Sequence, residues 1–225
     1  MRADTCTDAM KAFHLLLFLL GITGSLSGAN IDWNAHVDNV LRAPSLARYL
    51  EPGEMYPFVF LVEQTFLTNS ELRADFYGGR MTPPEGGLTR IDNCSSLIRP
   101  ENNTALLSCN VSLSGFRATY AGFVVGEDFL ESNKSIDVEA SFPGARLFIE
   151  VKYKRDTLPK PVTWRVAPLD IHVTLSRQPN LNSQRRKQFD DELRKNLDAA
   201  ATTFFYGWLY HGVKNAFQLV QQPAI

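Results

Sequence analysis

The last part of the chain carries a long amphipathic pattern uninterrupted by proline. Residues 183–220 read SQRRKQFDDELRKNLDAAATTFFYGWLYHGVKNAFQLV. The apolar residues of this stretch recur with the period of an α-helix. At roughly 1.5 Å per residue, a helix over the whole stretch would be about 55 Å long. The apolar side of this helix must pack against an equally long apolar surface, because leaving apolar surface in water costs about 25 cal/mol per Å². Apolar side chains recur at spacings of three to five: Phe189, Leu193, Leu197, Ala201, Phe204, Trp208, Val213, Phe217 and Val220.

The predicted helix has two halves of different character. Residues 184–200 have polar faces, with the pairs Asp190–Arg194 and Asp191–Lys195 in the order that stabilises a helix. Residues 202–210, TTFFYGWLY, are apolar on most sides. That predicts a segment surrounded by the rest of the protein.

The surface that packs against the helix is predicted upstream, in segments where apolar and polar residues alternate. This alternation is typical of strands with one buried and one solvated face. Two facing sheets or one curved sheet would both satisfy it, but only a curved sheet around the helix buries both apolar surfaces. The predicted fold class is therefore α+β, a curved antiparallel sheet wrapped around the long C-terminal helix. The alternating segments are 107–113, 116–120, 136–142, 147–153, 162–166 and 169–175.

The N-terminal residues predict secretion. Lys11 precedes the apolar run 15–20, and Ser27-Gly28-Ala29 fits a small-x-small cleavage pattern. A membrane anchor is the alternative, but the run is shorter than the ~20 residues that a span needs. We expect residues 1–29 to be a secretory signal peptide, with Met1 or Met10 as the start, and residues 30–225 to form one secreted, extracellular domain.

Two cysteines remain after Cys6 leaves with the signal. Cys94 and Cys109 form an even pair in an oxidising compartment, which predicts a disulfide. By closing a loop of about 15 residues, this disulfide would add about 3 kcal/mol to the free energy of unfolding. Two buried free thiols are the alternative.

Four sequons accompany the cysteine pair and predict a glycosylated surface. Each has an Asn-x-Ser/Thr pattern, and strand alternation places the third on a solvated face. The first and third are poorer acceptors, because each adjoins a cysteine. The predicted glycosylation sites are Asn93, Asn102, Asn110 and Asn133.

Motifs for catalysis, metals or cofactors are absent from the sequence. The formal net charge of −1 argues against a nucleic-acid-binding protein. Neither H-E-x-x-H, C-x-x-C nor G-x-S-x-G occurs, so no catalytic residue, metal or cofactor is expected. The basic runs 152–155 and 185–187 fit either anionic lipid head groups or solvated surface.

The order of elements resembles a known superfamily. The predicted elements come in the following order: short N-terminal helices, Gly78-Gly79, Gly87-Leu88-Thr89-Arg90-Ile91, the strand 106–113, the hairpin 136–153, the strand 169–175 and the long helix. This order is similar to one tubular lipid-binding (TULIP) domain of the single-domain arthropod type, such as mite group-seven allergens. The resemblance extends to bactericidal/permeability-increasing proteins. It implies a sheet that wraps a long helix, holds apolar ligands and has no catalytic residues.

Two function classes follow. The first is a secreted, glycosylated protein that holds a lipid or other apolar molecule between helix and sheet. The second is an immune or salivary-type interaction protein that acts through its exterior on a host or microbial partner, including an anionic membrane or microbial surface. A secreted enzyme of unrecognised type is a third alternative. The ligand-contacting residues predicted for the first class are Tyr120, Val138, Ile149, Ile171, Val173, Phe204, Trp208, Val213 and Phe217.

Overall fold

A computed structural model describes residues 31–63, 71–127 and 133–223. The predicted signal peptide, residues 1–29, lies outside the described residues. The helices are α1 (Trp33–Leu41), α2 (Pro44–Ala47), α3 (Ser183–Phe204) and α4 (Tyr210–Leu219), and a π-helical turn, Phe205–Leu209, joins the last two. A short 3-10 turn spans Pro100–Asn102.

Ten strands supply the β-structure of the described residues. The first five are β1 (Gly53–Glu54), β2 (Phe58–Val62), β3 (Leu72–Thr82), β4 (Thr89–Arg99) and β5 (Thr104–Ser112). The others are β6 (Arg117–Val125), β7 (Lys134–Ser141), β8 (Arg146–Lys154), β9 (Lys160–Val166) and β10 (His172–Leu175).

The strands form two antiparallel sheets. The first sheet has the order β1-β3-β6-β7-β10, with β2 also paired to β3, and the second has the order β4-β5-β8-β9. The α+β class and the long helix packed against strands are confirmed. The predicted single curved sheet is divided, because β7 and β8 turn through Pro143-Gly144 and pair with different neighbours.

The closing helix contacts both sheets. Near its start, Phe189 meets Phe60 of β2, with ring centroids 5.3 Å apart. Further along, Tyr210 meets Trp164 of β9 at 5.2 Å. The helix begins where the sequence predicts, at Ser183, because the Asn182 side chain accepts a hydrogen bond from the Arg185 backbone N–H.

The π-helical turn changes which residues face the core. It fits one extra residue into a turn, so the buried position after Phe204 and Phe205 is Leu209. Trp208, which a regular α-helix would bury, is 46% exposed, and Tyr206 is exposed as well. The prediction that residues 202–210 are surrounded on most sides is therefore wrong at these two positions.

Strand β4 is not among the segments that alternation predicts. Residues 89–99 lack the alternation of the other strands, because β4 is an edge strand that is largely exposed on both faces. Its pairing with β5 shifts between Ile91 and Ser95, and Asp92 there has a positive φ of 58°. The disulfide between Cys94 and Cys109 joins β4 to β5 within this irregularity.

A pair of one-residue deletions tests the π-helical turn. Deleting Gly207 removes the extra residue, so Phe204 and Leu209 become four apart and the stripe stays in phase. We expect the free energy of unfolding in urea to change by less than about 2 kcal/mol. Deleting the exposed Ala199 of α3 instead rotates half of the stripe by about 100° and should abolish folding. Equal damage from both deletions would contradict this account of the turn.

Candidate functional site

Most residues predicted to contact a ligand are packed within the core. Seven of the nine are buried: Tyr120, Val138, Ile149, Ile171, Phe204, Val213 and Phe217. Val173 is half-buried and Trp208 is exposed. The residues therefore lie along the interior on both sheets and the helix.

Two of the predicted residues occupy separate parts of the interior. The ring of Tyr120 lies against Phe58, with centroids 4.9 Å apart, and its hydroxyl donates to the backbone oxygen of Tyr56 at 3.1 Å. Gly79 leaves the space for this ring, since a Cβ there would lie 2.3 Å from it. Phe217 instead packs beside His36.

A buried polar pair joins the first helix to the second sheet. His36 Nε2 and the Tyr153 hydroxyl lie 2.8 Å apart, and the ring of Trp33 packs on Tyr153 at 5.1 Å. Burial lowers the pKa of His36 and raises the pKa of Tyr153. The sequence signal for this pair was weak: His36 follows Trp33 by three residues on the apolar face of α1.

The exposed Trp208 serves as an attachment point on the helix. Its indole Nε1 donates to the backbone oxygen of Tyr49 at 3.2 Å, and the two rings are 5.1 Å apart. Asn215 Nδ2 donates to the Tyr49 hydroxyl at 3.1 Å. Gly212 allows this close approach, since a Cβ there would lie 2.6 Å from the Tyr49 side chain. The segment after α2 is thus fastened to the closing helix.

Three open grooves are lined by described residues. One of about 500 Å³ lies on the outer face of the first sheet, along Thr119, Glu139 and Thr174. A second, of about 420 Å³, lies on the outer face of the second sheet, and a third, of about 400 Å³, adjoins α2. These grooves offer surfaces for a partner outside the packed core.

The inner face of β10 is incompletely covered. Val173 and Leu175 pair with Ala140 and Val138 of β7, which are buried. Val173 and Leu175 themselves are only half-buried, because β10 is the end strand of its sheet. We call this apolar edge, Val173 and Leu175, the β10 seam.

The described residues carry no cluster of His, Cys, Asp or Glu that could hold a metal ion. His172 lies 3.5 Å from Asp170, and both side chains are largely exposed, as expected for a surface pair. Among the described helices, none is both long and apolar enough to cross a membrane. The predicted glycosylation sites Asn93, Asn102, Asn110 and Asn133 are all exposed. Their occupancy stays a prediction.

Stability should fall in mild acid because of His36. Its pKa in the folded protein is below the ordinary 6.5, so the unfolded state binds a proton first as the pH drops. The free energy of unfolding should therefore decrease as the pH falls from about 7 towards 5. A His36→Gln variant should show a flatter profile in urea unfolding, while His211→Gln, at an exposed position, should match the unaltered protein. Identical profiles for both variants would contradict this.

The chain is similar to a salivary protein in sequence and to a lipopolysaccharide-binding protein in structure. No protein-family model matches the chain. The salivary anticoagulant protein P23 of Ixodes scapularis is 26% identical over 224 residues, covering 96% of this chain and 100% of that protein. A crystal structure of lipopolysaccharide-binding protein aligns with a TM-score of 0.41 and 12% identity, covering 82% of this chain and 36% of that chain. The chain thus spans little more than a third of that structure's length.

Proposed function

We propose that this is a secreted salivary-type interaction protein, which acts by binding a host component through its exterior and performs no catalysis. The close packing around the closing helix carries the proposal. Phe205, at the π-helical turn, is fully buried and packs edge-on against Phe116 at 5.2 Å and Phe142 at 6.1 Å. Residues packed in this way stabilise the fold, and the outer faces are left to meet a partner.

Two further observations support secretion and a host target. A disulfide such as Cys94–Cys109 persists in oxidising, extracellular compartments. Similarity to a salivary anticoagulant runs along almost the whole chain, so blood clotting is the host process that we propose.

A clotting assay tests this proposal. The purified secreted protein should prolong the clotting time of plasma in a dose-dependent manner, because a bound clotting component is withdrawn from the reaction. The same protein with its disulfide reduced and alkylated serves as the control. Loss of a native disulfide lowers the free energy of unfolding by about 2–5 kcal/mol, so this form should lose its folded surface. Unchanged clotting times at saturating protein would overturn the proposed host process.

The β10 seam favours a second candidate function, the holding of a lipid or other apolar molecule. Apolar ligand sites combine a concave apolar lining with few polar groups. The half-buried Val173 and Leu175 continue the inward apolar face of the first sheet. An acyl chain inserted here would lie between β10 and the core. Membership of the TULIP superfamily is part of this second proposal.

Native mass spectrometry before and after organic extraction tests the second candidate. We expect a lipid-sized mass that extraction removes. Val173→Arg should abolish it by placing a charge in the seam. His172→Arg is the matched control, because it adds the same side chain on the exposed side of the same strand. A clean unliganded mass, with no uptake of a fluorescent fatty acid, would contradict the lipid-holding function.

A further inference from the structure

We propose that the groove on the outer face of the second sheet binds a sulfated polysaccharide chain. This basic groove is defined by Leu97 and Arg99 of β4, Thr104 and Leu106 of β5, Lys152 and Lys154 of β8, and Lys160 of β9. All but Lys160 line the cavity of about 420 Å³, and Lys160 pairs directly with Lys152. The proposal specifies one surface and one partner chemistry for the exterior binding proposed above.

Strand register brings the basic side chains together. Leu97, Leu106, Lys152 and Lys160 are opposite one another on four adjacent strands. With about 4.8 Å between strands, this row spans about 14 Å. Arg99, Thr104 and Lys154 form the next row on the same face. Because alternate residues of a strand share a face, all of these side chains point away from the core.

The basic groove makes no salt bridge within the described residues. The four basic side chains are exposed, and none takes part in an ion pair there. Lys152 and Lys160 are opposite one another on paired strands, an arrangement in which like charges destabilise a sheet. A bound anion would relieve this repulsion.

The wider charge distribution makes the groove a distinct feature. The chain as a whole has a formal net charge of −1. Glu150 lies in the neighbouring row of the same face, and its carboxylate accepts hydrogen bonds from Ser108 and Thr163. Glu101 and Asp156 lie in the adjoining turns, together with the basic Arg155. A dense polyanion would therefore be attracted to the groove more than to the rest of the surface.

The shape of this face favours a chain over a membrane. The basic side chains surround a depression with Leu97, 51% exposed, and Leu106 in its lining. Aliphatic side chains can cover the apolar faces of sugar rings. The predicted glycosylation sites Asn102 and Asn110 lie at the rim and on the same outer face. Glycans there would hold a planar bilayer away, whereas a narrow chain could lie between them.

Heparin is the probe for the test, with binding measured in purified buffer across a salt series. Lys152→Gln combined with Lys154→Gln should weaken heparin binding by roughly 25-fold, because each basic side chain facing a dense anionic surface contributes about fivefold. The dependence of log affinity on log salt should also become less steep, by about two. The matched control, Lys187→Gln with Arg194→Gln, removes two exposed charges of α3 and should leave binding unchanged.

Three results with heparin itself would overturn the proposal. They are absence of heparin binding by the unaltered protein, an equal loss in both double variants, and equal binding of desulfated heparin. Vesicles of phosphatidylcholine with and without phosphatidylserine provide a further arm. If the Lys152/Lys154 variant loses binding to phosphatidylserine vesicles but keeps heparin binding, the groove is a membrane site and the proposal is wrong. Thermal unfolding of each variant confirms that it is folded.

This test is separate from that of the proposed function. Heparin binding is measured without plasma, so it can fail while the protein still prolongs clotting, and the reverse also holds. An Asn102→Gln background removes the predicted glycan at the rim of the groove and should preserve or strengthen heparin binding. A loss of binding in that background would show that the glycan, and not the groove, contacts heparin.

Discussion

Burial of one apolar stripe against two sheets organises the described part of the chain. The stripe begins on the first sheet, where Phe189 meets Phe60, and reaches the second sheet, where Tyr210 meets Trp164. The two sheets share no strand pairing among the described residues. The chain passes between the sheets at 83–88, 113–116, 142–145 and 167–171, and the closing helix packs against both of them. Their inner faces therefore enclose a common core.

This arrangement explains why the polar attachments lie where they do. Helix α1 covers the far end of the core, where His36 bonds Tyr153 and packs against Phe217. It is also tied to β4, since Arg90 pairs with Asp38 at 3.1 Å. The segment after α2 is held by Trp208 through Tyr49. Each attachment fastens a short N-terminal element to the framework of sheets and helix.

The division between interior and exterior also separates the two candidate functions. Holding an apolar molecule requires an opening in the core, and the second proposal places that opening at the β10 seam. Binding a partner through the exterior requires only accessible chemistry, which the basic groove offers through side chains outside the core. The two proposals place these functions on different faces of the molecule, so the variants that test one leave the residues of the other unchanged.

Local patterns in the sequence were sufficient to predict much of the secondary structure. The helical period of residues 183–220 predicted the closing helix, and alternation predicted β5 to β8, because periodicity follows from which side of a single element is buried. Strand β4 has no such pattern, since an edge strand exposed on both faces carries no alternation. The ligand residues were chosen by the same periodicity, which identifies inward positions such as Tyr120 and Val213 but cannot separate a cavity lining from packed core.

What the tertiary structure decided depends on contacts between distant residues. The stripe contains the five-residue step from Trp208 to Val213, but only packing around Phe205 shows that the extra residue lies in a π-helical turn and that Trp208 faces outward. Likewise, the run 152–155 was visible as a basic cluster, whereas Arg99 and Lys160 join it only through strand pairing. The sequence alone determined which face of each element is apolar, because that depends on neighbours along the chain. Only the fold determined which elements meet, because register and packing join residues that are far apart in sequence.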